Sequence, residues 1–443
     1  MITTRRKFLN HSAKLVAGTA IAGNMLSPLI IQGKKFAPNE KIRIALIGCK
    51  SMGFGDLENA LKQPGVECAA LCDIDDEILN NRSRDVQNIQ GRAPALYKDF
   101  RKLIDNKDID AVIIGTPDHW HCLPFLYACE AGKDIYVEKP LANSIMECEV
   151  MEHAARKYKR VVQVGQQQRS GAHWIQAMDF IKAGKIGQLR KVNIWANFNY
   201  GIGRPVVPDS AVPPGVDFDT WLGPAPARSF NSSRFHSSWR MFWDYGGGLM
   251  TDWGVHLIDI ALWAKDITEL PEIITATGGN FAFPGHAHET FDTMNVSYQL
   301  KDYLINWEHT AGTQNGPYGR PYGLAFAGND ATMVIDRDGW ELFPEYDNES
   351  KKHKVPLMEK QKGIGSHDLH MKNFLDCIKS RKDPACTIEN GSLVARYAHA
   401  ANIALRTNSQ LTWNSTQKNF GNNASANALI TPQYRKPWVL PHT

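Results

Sequence analysis

The sequence predicts a doubly wound parallel α/β sheet over residues 40–168, followed by an α/β unit over 169–443 with a large, mostly antiparallel sheet and C-terminal helices. Three observations carry this reading. Short apolar runs alternate with helical stretches as far as Val164, the pattern of a parallel sheet covered on both faces. A glycine-bearing turn follows the first run at Gly48. Beyond Gln168 longer strands follow one another with few helices between, which suits antiparallel pairing.

Ile42-Arg43-Ile44-Ala45-Leu46-Ile47-Gly48 reads as a buried parallel strand, because its apolar residues are nearly continuous rather than alternating. A helix is expected over 56–63 and a second strand over 66–73. Further strands are expected over 111–115, 135–137 and 161–164, separated by helices that include 123–131 and 144–158. In the second unit a helix over 174–182 leads into an alternating strand over 191–198. Strands over 273–277, 290–300, 303–310, 323–328 and 331–336 follow, then helices over 367–380 and 391–407. The long loop 199–248 is rich in Pro, Gly and aromatics. Loops of that length are functional or disordered, and its Trp and Tyr content argues against disorder.

Ahead of the first strand, Thr4-Arg5-Arg6-Lys7-Phe8-Leu9 precedes an apolar stretch over 15–31. Twin arginines before a mild hydrophobic region read as a twin-arginine export signal over 1–34, which implies a periplasmic protein. Four of the basic residues lie within residues 1–31, and without them basic and acidic residues balance at 46 each. No electrostatic case for nucleic acid remains, and no later apolar run is long enough to span a bilayer. The eight cysteines form no Cys-x-x-Cys pair, and Cys49, Cys68 and Cys72 fall in or beside buried strands, so free core thiols are expected.

The candidate chemistry lies at strand ends. Gly48-Cys49-Lys50-Ser51-Met52-Gly53 keeps the first and third glycines of the dinucleotide fingerprint and places Lys50 at the second. Asp73 ends the second strand, where a carboxylate receives the ribose hydroxyls and repels a 2′-phosphate; NAD is favoured over NADP. Thr116-Pro117-Asp118-His119-Trp120-His121 ends the fourth strand at the same edge, where His119 and His121 are candidates for the nicotinamide side or for helix caps. Glu138-Lys139-Pro140 closes the next strand, and a lysine there points into the crevice where ligands bind. Further on, Thr251 is a plausible N-cap. Asp252, His256, Asp259 and Trp263 would then share one face of a single helix, suited to proton transfer and sugar hydroxyls. A lone Asp-x-x-x-His is a weak metal signal, and no metal is expected. Aromatics in the preceding loop, with His236, Trp239, Arg240 and Tyr245 among them, suit stacking on sugar rings or core packing. His367 and His370 read as surface residues.

These motifs together resemble the glucose–fructose oxidoreductase / inositol dehydrogenase / rhizopine catabolism (Gfo/Idh/MocA) oxidoreductases over 40–410. The resemblance rests on the Gly48 turn with Asp73, on Thr116-Pro117 with His121, on Glu138-Lys139-Pro140, on Gly165-Gln166-Gln167-Gln168-Arg169, and on Asp252 with His256. It implies a Rossmann domain, joined to an α/β domain whose open sheet often forms the oligomer contact, hence a homodimer or homotetramer. It implies Lys139 near the nicotinamide and the reacting carbon, with Asp252 and His256 as the proton-transfer pair. Gly48, Lys50, Ser51, Met52, Gly53, Asp73, Thr116, Pro117, His119, His121, Glu138, Lys139 and Gln168 would bind cofactor. Arg169, His236, Trp239, Arg240 and Tyr245 would join Lys139, Asp252 and His256 at the substrate.

The expected function is hydride transfer between NAD and a sugar, sugar derivative or cyclitol hydroxyl carbon. His256 would be the base, Asp252 would orient it, and Lys139 would hold the hydroxyl oxygen. An exported enzyme has no free NAD pool, so tightly held NAD is expected. One alternative is an NAD-dependent glycosidase acting by transient oxidation at sugar C3; in a relative with that activity the Lys-Pro motif is typically altered. Another is a non-catalytic exported sugar-binding protein on the same scaffold.

Overall fold

A computed structural model describes residues 41–236 and 238–441, so the export-signal reading lies outside the described residues. Six strands, β1 (Ile42–Ile47), β2 (Val66–Cys72), β3 (Ala95–Tyr97), β4 (Ala111–Ile114), β5 (Asp134–Val137) and β6 (Val162–Val164), form one parallel sheet in the order β3-β2-β1-β4-β5-β6. The order reverses between β1 and β4, the switch point where doubly wound sheets bind ligands beyond their carboxyl ends. Every residue of β4, β5 and β6 is buried, as expected for strands covered on both faces.

The second sheet has eight strands. In spatial order they are Gln361–Lys362, Gly339–Pro344, Ala331–Asp336, Tyr322–Ala327, Lys191–Ala196, Leu304–Thr310, Thr293–Gln299 and Ile273–Gly279. All neighbours pair antiparallel except Lys191–Ala196 with Leu304–Thr310, which run parallel. One face carries the core. In Leu304–Thr310, Ile305, Trp307 and His309 are buried while Leu304, Glu308 and Thr310 are exposed, so only alternate residues enter it.

Among the elements the sequence reading misses are β3, the helix Asp76–Gln90, the short helix Phe100–Ile104 and the strand Gly339–Pro344. The helix Asp76–Gln90 buries only Leu79 and Val86, so its hydrophobic period is faint. Its start is nonetheless fixed, because the Asp75 carboxylate accepts from the Glu77 and Ile78 amides. The helix His367–Ser380 returns from the far end of the chain to pack Met371, Phe374 and Ile378 with β1 and β2 side chains. All eight cysteines are free and buried. Among the described residues no helix is long and apolar enough to cross a membrane. No group of three or more His, Cys, Asp or Glu among them could hold a metal ion.

Candidate active site

The site begins at the turn after β1. Gly48 has φ +86°, and a Cβ there would lie 2.7 Å from the Thr116 amide; one on Gly53 would lie 2.4 Å from the Gly48 carbonyl. Both glycines therefore let the turn press against the end of β4. The helix Ser51–Leu61 starts at this turn with no side-chain cap, which leaves its first amides for an anion. Lys50 has φ −94° and ψ 152°, extended values any residue adopts, so the turn itself tolerates the missing second glycine.

Gly48, Lys50, Ser51, Met52, Asp73, Thr116, Pro117, Trp120, Trp221, His236, Trp239 and Arg240 line one cleft. It holds about 980 Å³ of space between atoms, part of it open to solvent, a size suited to a cofactor. The Asp73 carboxylate accepts from the Cys49 amide at 2.7 Å and the Asp75 amide at 3.1 Å. A carboxylate has about four acceptor sites, so capacity remains for ribose hydroxyls. Uncapped helix amides, a close-packed glycine turn and an acceptor at the end of β2 fit a dinucleotide.

The long loop closes this cleft from above. The Asp76 amide donates to the Gly215 carbonyl and the Asp217 amide to the Ile74 carbonyl, both at 3.0 Å, with an isolated bridge between Asp75 and Val216. His236 Nε2 lies 2.8 Å from the Asp75 carboxylate. Loop aromatics Trp221, Phe230, Phe235, Trp239, Phe242 and Tyr245 form their own core beneath.

At the carboxyl end of β5, Lys139 Nζ donates to Asp252 Oδ1 at 2.5 Å and to the Asp252 carbonyl at 3.1 Å. The Tyr200 hydroxyl donates to Asp252 Oδ2 at 2.8 Å, and Arg240 Nε lies 3.5 Å from Oδ1. Burial alone would raise the Asp252 carboxyl, but the Lys139 and Arg240 cations outweigh it and hold it well below the usual range. Burial, then the Lys139 charge, keeps the His256 ring neutral, and its buried Nδ1 has no hydrogen-bond partner among the described residues.

Several expectations are corrected here. Thr251 caps no helix. Two helices, Gly248–Asp252 and Gly254–Trp263, meet at Trp253, where the His256 amide bonds the Trp253 carbonyl three residues back. That tighter turn shifts the phase. No hydrogen bond joins Asp252 to His256 among the described residues, and the carboxylate orients Lys139 and Tyr200 instead. Asp259 is not open to sugar hydroxyls, because Arg169 Nε and Nη2 each donate to it at 2.8 Å in a buried pair. That pair likewise takes Arg169 away from substrate. His119 packs in the core between Trp221 and Tyr245, with Nε2 3.0 Å from the Trp221 carbonyl. Tyr245 is fully buried in the loop core. His121 sits 2.8 Å from both the Thr116 and Pro140 carbonyls, fastening the two loops together rather than facing the cleft. Glu138 turns toward Gly165, where a Cβ would lie 2.2 Å from its carboxylate, and pairs with buried Asp56. Burial raises both carboxyls, Glu138 to about 6. Gln168 is buried in the turn Gln167–Ser170 with neither amide atom partnered among the described residues. His370 is fully buried, with Nε2 2.9 Å from the Val164 carbonyl, and His367 is half-buried against Gln167, so neither is a surface residue.

The sequence reading missed Tyr200, Asp75, Asp118 and Arg337. Asp118 lies inside a motif it quotes. Burial, against the Arg240 and Lys139 charges, pushes that carboxyl up to about 8.

The profile "Oxidoreductase family, NAD-binding Rossmann fold" matches residues 42–166, and its companion "Oxidoreductase family, C-terminal alpha/beta domain" matches 179–278 and 333–440. The chain belongs to the Gfo/Idh/MocA oxidoreductase family. It is 28% identical over 201 residues to glycosyl hydrolase family 109 protein 1 of Shewanella sp. strain MR-4, covering 42% of this chain and 44% of that protein. It is 28% identical over 202 residues to an alpha-N-acetylgalactosaminidase of Shewanella oneidensis, with the same coverage. The matches thus span less than half the length of these curated relatives. Among solved structures, levoglucosan dehydrogenase in complex with NADH and levoglucosan superposes with TM-score 0.64 at 18% identity, over 84% of this chain and 99% of that one. Aldose–aldose oxidoreductase from Caulobacter crescentus, complexed with glycerol, superposes with TM-score 0.63 at 20% identity, over 84% and 100%. At these identities the superpositions establish the fold.

Proposed function

We propose that the protein is an NAD-dependent oxidoreductase that moves a hydride between a hydroxyl-bearing carbon of a sugar, sugar derivative or cyclitol and tightly held NAD. The observation that carries this is the ion pair of Lys139 and Asp252 at the end of β5, with Arg240 reaching from it into the dinucleotide cleft. When bound, NAD supplies the hydride acceptor. Lys139, aimed by its contacts with Asp252, holds the hydroxyl oxygen and stabilises charge building on it. His256 begins neutral with Nδ1 unengaged, the state a base needs to take the hydroxyl proton. The strap formed by residues 213–236 supports retention of NAD through turnover.

A second reading is supported by the names of the hydrolase relatives: transient oxidation at sugar C3 that permits loss of a glycosidic group, with NAD restored in the cycle. Purified protein carrying NAD, mixed with sugars, glycosides and cyclitols, separates the two. A rise at 340 nm that Lys139→Ala abolishes is the expected result. Glycoside cleavage with no lasting rise would favour the hydrolase cycle. Absence of any nucleotide and any turnover would leave a sugar-binding protein.

The reading extends to export by the twin-arginine route, on the strength of Arg5 and Arg6 before the apolar segment. It extends also to a homodimer or homotetramer through the exposed polar face of the second sheet, where Asn193, Asn295, Ser297 and Asn306 line a shallow depression. Cell fractionation and light scattering test these two points.

A further inference from the structure

Arg337 occupies the turn between the strands Ala331–Asp336 and Gly339–Pro344. Its guanidinium lies over the Trp253 indole, 4.6 Å from the ring centroid. Trp253 joins Phe198 at 4.3 Å and Tyr322 at 4.8 Å in an aromatic platform, and the His256 ring lies 5.7 Å from Trp253. The charge of Arg337 acts on His256, Tyr200 and Asp252. Trp253 thus links Arg337 to the His256 ring.

No carboxylate lies within ion-pair distance of Arg337 among the described residues. Its neighbour Asp336 is taken by Arg320 at 3.0 Å, and Asp338 is exposed. Stacking on an indole uses only the face of a guanidinium. The five N–H donors lie in its plane, in a fork that matches a carboxylate. A half-buried cation without an anion is costly, so natural proteins pair such groups. The surrounding charges sharpen the point. Lys139 and Arg240 share the single carboxylate of Asp252, and Arg337 adds a third cation.

We propose that the substrate is a sugar acid whose carboxylate is taken by the Arg337 fork while its reacting hydroxyl lies at Lys139 and His256. The sugar ring would rest on the Trp253–Tyr322 platform. This rests on the hydride-transfer reading above, and it names the substrate class of that same site.

Calorimetry on the full chain carrying NAD tests it. The probes are glucuronate, galacturonate and mannuronate against the matched neutral hexoses. One uronate is expected to bind at least about tenfold more tightly than its hexose, and the preference should shrink as salt rises. Arg337→Gln should remove most of that preference. Arg337→Lys, which keeps the charge and loses the fork, should retain part of it. NAD retention by each variant reports its folding. Equal binding of uronate and hexose by the unaltered protein would overturn the proposal, as would a preference that survives Arg337→Gln. Tighter binding of a sulfated hexose than of every uronate would overturn the carboxylate assignment. Absorbance at 340 nm runs alongside. Arg337-dependent uronate binding without NAD reduction would keep this inference and sink hydride transfer. Reduction by neutral hexoses with no charge preference would do the reverse.

Discussion

At the scale of single residues, the site is a problem of too many charges in too little water. Lys139, Arg240 and Asp252 stabilise one another, so Asp252 stays ionised despite burial. Asp118, more deeply buried, has no ion-pair partner among the described residues, and burial leaves its carboxyl neutral below about pH 8. In the unfolded chain an aspartate titrates near ~3.9. Folding therefore takes up a proton at Asp118 between those values, and the stability this residue contributes is full below about pH 4 and lost as pH rises through about 8. Asp118→Asn keeps the shape of the neutral acid and cannot titrate. Relative to the unaltered protein, the variant should gain stability steadily from pH 4 to pH 8 and no further above it. Urea unfolding at four pH values measures this. A stability difference that stays flat across the range would show that Asp118 is ionised in the fold.

At the scale of elements, the cleft is made by two segments from different parts of the chain: the β2 end with Asp73 to Asp76, and the strap 213–236 that bonds to it. The pair His236–Asp75 fastens the strap, and Asp75 also caps the helix Asp76–Gln90. Asp75→Asn keeps a good cap while weakening the contact to His236. A partly buried pair of this kind contributes about 1 kcal/mol, roughly a fivefold change in an equilibrium. NAD release from Asp75→Asn is accordingly expected to be about fivefold faster, read by the fluorescence decay of bound NADH under displacement. Unchanged release would mean the strap does not hold the cofactor. This strap also marks where sequence reading stops. β1, β4 and β5 were legible because buried parallel strands are uninterrupted apolar runs, and the Gly48 turn, Asp73 and Lys139 sit at fixed offsets from them. The loop 199–248 has no period, so nothing in it separates Tyr200, which reaches Asp252, from Tyr245, which fills a core. The offset of four between Asp252 and His256 misled for a related reason: helical spacing assumes an unbroken helix, and the turn at Trp253 breaks the assumption.

At the scale of the whole molecule, the two sheets are not independent bodies joined by a linker. The helix Ile388–Arg406 places Leu393, Val394 and Tyr397 in the core of the second sheet and Ile388 and Ala395 in that of the first. The segment around Trp438 returns again, stacking that ring on Phe100 and setting it edge-on to Trp120. Loss of either core thus exposes apolar surface of the other, and heating should give one cooperative transition despite 443 residues. Gly391 tests the coupling. It faces β6, and a Cβ there would lie 2.6 Å from Val164 Cγ2 and 2.9 Å from Val164 Cβ, distances that force the helix or the strand to move. In an exposed helix Gly→Ala stabilises by about 1 kcal/mol. Here overpacking at a junction closed on both sides costs about 1–3 kcal/mol and should win. Gly391→Ala is predicted to lower the melting temperature of the single transition by several degrees without splitting it, as seen by calorimetry. Two resolved transitions, with only the one belonging to the first sheet displaced, would mean that the shared helix does not bind the halves into one folding unit.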